Sequence, residues 1–128
     1  MIHGILALLL LAAAQPTTVA LDNPVMVQLH GEQSGSASLF GTSGGTVVVE
    51  VELDNQRTSD AKVAIVDGDC AHPGRGAYAL TDTVSGQSTT RIPNATLAQV
   101  VGKHRAVIVR RGAKPDAAPL ACGEIKGS

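Results

Sequence analysis

The chain has 128 residues, enough for one domain, and its 44% hydrophobic and 16% charged content is that of a globular rather than a disordered protein. The formal net charge is −1 and aromatics make up 2%, with Phe40 and Tyr78 alone and no Trp. No global positive field is present to attract nucleic acid or anionic membrane, there is little aromatic surface to stack on bases or sugars, and the core has to come from Val, Leu, Ile and Ala.

Residues Ile5 to Ala14 form an unbroken apolar run. It is too short to span a bilayer as a mature helix and suits the apolar core of a signal peptide. Ala12-Ala13-Ala14 offers a cleavage site and Thr18-Val19-Ala20 a later one, so residues 1–14, or as many as 20, are set apart from the fold. No Lys or Arg precedes the run and no lipidation cysteine adjoins it. Export predicts a secreted or periplasmic protein with no transmembrane segment after cleavage.

Residues 25–125 are read as the domain. Val25 to His30 alternates, with Val25, Val27 and Leu29 on one face, and Ser36 to Phe40 follows with Ala37 and Leu39 inward. Gly31 and Gly35 bracket the turn between them. Gly41-Thr42-Ser43-Gly44-Gly45 is a hairpin turn, with no helix or Lys after it to make a phosphate cradle. Thr46 to Leu53 is the clearest strand, with Val47, Val49, Val51 and Leu53 on one face and Glu50 and Glu52 on the other. Lys62 to Val66 is the next strand, and Asp67 to Gly76 reads as a long loop. Ala77 to Leu80, Ser88 to Ile92, Arg105 to Arg110 and Pro119 to Ile125 complete the strands. Asn94 to Val101 predicts one or two helical turns with Asn94 as N-cap. Seven or eight short antiparallel strands without a substantial helix predict an all-β Greek-key barrel or sandwich.

Acidic residues (Glu50, Glu52, Asp54, Asp60, Asp67, Asp69) lie in the first half and basic ones (Lys103, Arg105, Arg110, Arg111, Lys114) in the second, which predicts ion pairs between complementary strands. The two cysteines, Cys70 and Cys122, lie 52 positions apart. In an exported chain they pair and pin the loop to the last strand; in a cytosolic one they are two buried thiols.

The segments Gly68-Asp69-Cys70, Ala77-Tyr78-Ala79-Leu80, Gly86-Gln87-Ser88-Thr89-Thr90 and Ala121-Cys122-Gly123-Glu124-Ile125 resemble the copper/zinc superoxide dismutase-like superfamily, in particular its small secreted bacterial domains. The resemblance covers Val25 to Ile125. It implies an eight-stranded Greek-key barrel and a Cys70–Cys122 disulfide. It also implies where metal ligands should stand, and they are absent. The two copper histidines on the strand before the loop correspond to Ala64 and Val66, and a third to Arg110; an aliphatic side chain has no donor and a guanidinium no lone pair to give. His72 is alone in the loop after Cys70, and Pro119 stands where the family has a guiding arginine. The replacements suggest that Arg110 lies over Ala64 and Val66 and reaches Asp67 or Asp69, a fixed cation in place of a metal.

Among the other candidates, His30 and His104 lie at strand ends, and nothing in the sequence places them with His72 as a metal site. Asp67-x-Asp69 lacks the later ligands of a calcium loop. Asn94-Ala95-Thr96 is a glycosylation triplet only in a eukaryotic secretory pathway, and no nucleophile elbow occurs. The sequence therefore predicts an exported, non-catalytic dismutase-like domain without cofactor, a binding or structural module whose partner is a protein or cell-surface component and not nucleic acid. The alternative is a copper/zinc-binding metalloprotein of the dismutase family whose ligands are not recognisable here or come from a partner chain.

Overall fold

The computed structural model describes residues 23–57, 59–112 and 118–126. The apolar run and both cleavage sites lie outside the described residues, as does Lys114. Eight strands follow in order: β1 (Val25–Gly31), β2 (Gly35–Gly41), β3 (Thr46–Leu53), β4 (Lys62–Gly68), β5 (Pro73–Ala79), β6 (Gln87–Pro93), β7 (Arg105–Arg110) and β8 (Ala121–Ile125). Among the described residues one helix, α1 (Leu97–Val101), connects β6 to β7. All described pairings are antiparallel and build one curled sheet in the order β5-β4-β7-β8-β1-β2-β3-β6.

Period-two alternation explains which face is inside. Val27 and Leu29, Ala37 and Leu39, Val47, Val49, Val51 and Leu53, Val63 and Ile65, and Val107 and Val109 meet on the concave face as one aliphatic core. Leu97 and Val100 of α1 close one end of it. A smaller apolar cluster lies on the outer face of β4, β7 and β8.

The sequence placed a long loop at 67–76. The structure corrects this: β4 runs on to Gly68 and β5 starts at Pro73, so the connection is short. Gly68 makes the turn with φ +95°, a conformation that a side chain disfavours, and its N–H bonds the His104 carbonyl at 2.8 Å. β5 pairs with β4 through two register shifts, so its Gly and Pro residues sit on an edge that tolerates them. A second correction concerns α1. Asn94 has φ +53° in the turn before the helix, and the N-cap is Thr96, whose hydroxyl accepts the Gln99 N–H while the Gln99 side chain accepts the Thr96 N–H.

The ion pairs also follow the topology rather than the division of charge along the chain. Glu50 and Glu52 on β3 lie opposite β2 and β6, not the basic β7. Of the six acids, Asp67 finds a β7 partner in Arg105, at 3.0 Å.

Candidate functional site

β4, β7 and β8 present parallel rows of side chains on their outer faces. Ala64 is opposite Ile108, which is opposite Cys122, which is opposite His30 on β1. Val66 is opposite Ala106, which is opposite Glu124. Val66, Ala106, Ile108 and Cys122 pack into a buried apolar pad, with the half-buried Ala64 and Cys70 against it. Cys70 is bonded to Cys122, their Cα atoms 5.9 Å apart. β7 lies between β4 and β8, so the disulfide carries the β4–β5 connection over β7 and fastens it to β8.

This register corrects the expectation for Arg110. Opposite Ala64 and Val66 stand Ile108 and Ala106, and Arg110 is opposite Lys62 at the far end of β7. Arg110 is half-buried, makes no ion pair with Asp67 or Asp69, and its Nε is buried without a hydrogen-bond partner.

The cation that reaches Asp67 is Arg105. Its Nε donates to Asp67 Oδ1 at 3.0 Å, and one terminal nitrogen donates to the carbonyls of Gln99 and Val100 at 2.9 Å each. Its guanidinium lies 5.3 Å from the centre of the Tyr78 ring. Arg105 is only 8% exposed, so β4, β5, α1 and β7 are joined through one buried cation. The sequence held a signal for this: Arg105 is in phase with Val107 and Val109 on the core face, whereas Arg110 is in phase with Ala106 and Ile108.

Beside the disulfide, Asp69 organises the turn. It accepts the His72 backbone N–H at 2.7 Å, and its two oxygens lie 3.6 Å from His72 Nδ1 and 3.5 Å from His104 Nε2. These bonds, the His72 backbone first and His104 after it, hold the Asp69 carboxyl below its usual range. The fold thus brings together His72 and His104, which the sequence left apart, while His30 stands on β1 beside Cys122. Among the described residues no group of three or more His, Cys, Asp or Glu side chains is arranged to hold a metal ion, and no helix is long and apolar enough to cross a membrane.

The residues at the positions where the resemblance puts copper ligands do not fit a metal. Ala64 and Val66 offer no donor atoms, and both face apolar neighbours. No family model matches the chain, and neither the curated proteins nor the solved structures give a match.

Proposed function

We propose that this chain is an exported, dismutase-like Greek-key domain that has lost the family's copper/zinc chemistry and acts as a binding or structural module. The observation that carries the reading is the apolar pad. Ala64 and Val66, the positions to which the resemblance assigns copper ligands, pack against Ala106, Ile108 and Cys122, and Cys122 is bonded to Cys70. A redox dismutase needs imidazole donors at those positions, and an aliphatic pad supplies none.

Two features support the fold assignment. β3 pairs with β6 and β4 pairs with β7, so the β3–β4, β5–β6 and β6–β7 connections each join strands that are not neighbours in the sheet, as some connections of a Greek key do. Export to a secreted or periplasmic location accords with the apolar run at 5–14 and with a disulfide, a bond that persists in oxidising compartments.

The test is elemental analysis of the oxidised protein after exposure to copper and zinc, together with a superoxide-consumption assay. The expected result is substoichiometric metal and no consumption above buffer. Stoichiometric metal would overturn the non-catalytic reading in favour of a metalloprotein, with His72, Asp69 and His104 the first residues to substitute.

A further inference from the structure

The eight-stranded sheet does not close. β5 and β6 are its two edges, and no ladder joins them. At one end side chains bridge the seam: the Thr81 N–H donates to Thr90 Oγ1 at 2.8 Å, and Ser88 Oγ donates to the Thr81 carbonyl at 2.7 Å. At the other end the seam widens into a groove of about 560 Å³ between Tyr78 on β5, Ile92 and Pro93 on β6, and Ala98 and Gln99 of α1. Ile92 and Ala95 give it a nearly buried apolar floor.

The first half of β5 is blunted as a pairing edge by Pro73, Gly74, Gly76 and the register shifts. That leaves Ala77–Ala79 and Thr90–Pro93 as the backbone able to accept another strand. Three cations flank them, with Glu50 of β3 exposed opposite Thr89. Arg75 on β5, Arg91 on β6 and Lys103 at the groove rim are exposed, and none takes part in an ion pair among the described residues. Lys62, Arg105 and Arg111, by contrast, are matched to Asp82, Asp67 and Glu32. No carboxylate lines the groove among the described residues.

We propose that this open seam docks an extended, acidic segment of a partner protein, which adds as a short strand along β5 or β6 and rests an apolar side chain on Tyr78 and Ile92. The inference rests on the binding-module reading and names its partner class. Backbone pairing supplies the attachment, and the arginines select the sign. A second copy of this chain is disfavoured as occupant because both free edges carry arginine, and like charges would face each other.

The probe is a capped peptide of about eight residues alternating Glu and Val, long enough for one strand, with Lys replacing Glu in the control. Amide shifts are followed on the oxidised full chain. The acidic peptide should shift the amides of Ala77–Ala79 and Thr90–Ile92, and raising salt to about 0.5 M should weaken it. The R75E/R91E double variant should bind about tenfold more weakly, with the rest of its spectrum unchanged as proof of folding. Absence of shifts, equal binding of the Lys peptide, shifts confined to another face, or self-association that consumes the same amides would each overturn the docking site. The two readings fail separately. Metal-free protein that ignores the peptide overturns the docking and leaves the non-catalytic reading standing. Stoichiometric metal in protein that still binds the peptide does the reverse.

Discussion

A guanidinium almost removed from water is costly to bury unless acceptors surround it, and Arg105 has a carboxylate, two helix-end carbonyls and a ring face. Replacing it with Ala strands those carbonyls and Asp67, so R105A should lose about 3 kcal/mol of stability in urea denaturation. R105K should lose less but stay below the parent, because an ammonium cannot reproduce the fork that holds β4 and α1 at once. Asp69 gives a pH signature. Its carboxyl ionises more readily in the folded chain than in the unfolded one, so its contribution is complete above about pH 4 and disappears as the pH falls through the lower folded-state value. Urea midpoints measured down through that range should fall more steeply for the parent than for D69N.

At the level of elements, the disulfide tethers the turn before the edge strand β5, and the β1–β8 junction joins the two halves of the sheet. Cys70–Cys122 closes a 52-residue separation, and in the chain-entropy view losing it removes about 4 kcal/mol. The C70S/C122S variant should show that loss as a lower melting temperature, and amide exchange should rise first in β5, the strand that follows the freed turn. The β1–β8 register holds at His30 opposite Cys122 and Gly31 opposite Ala121. At Gly123 a methyl group would press into the Gln28 carbonyl of β1. G123A should therefore cost about 2 kcal/mol through backbone displacement, measured by the same denaturation. The capping box is a smaller device; T96A should lower stability by about 1 kcal/mol and leave the sheet amides unperturbed.

At the scale of the whole molecule, a core of Val, Leu, Ile and Ala joins eight strands, four of whose pairings are between consecutive strands and three, β1–β8, β3–β6 and β4–β7, between strands distant in the chain. β3 was legible to its bounds because Val47, Val49, Val51 and Leu53 recur on one face, with Glu50 and Glu52 exposed between them, although Val48 on the other face is buried as well. β5 was not, because its Pro and Gly residues carry no alternation, and its strand character comes from β4 alongside it. The aliphatic character of Ala64 and Val66 was readable one residue at a time, but the pad they form was not. Its members come from β4, β7, β8 and the turn after β4, and only pairing sets them side by side.

The sequence by itself determined the all-β class, the inward residues of the regular strands and the two cysteines available to pair, because period-two patterning and residue chemistry are local properties. The tertiary structure alone decided that Arg105 rather than Arg110 meets Asp67, that His72 and His104 converge on Asp69, and that β5 and β6 leave a seam between them. Each of these depends on cross-strand register and on which strands become edges, and both are fixed by contacts between segments far apart in the chain.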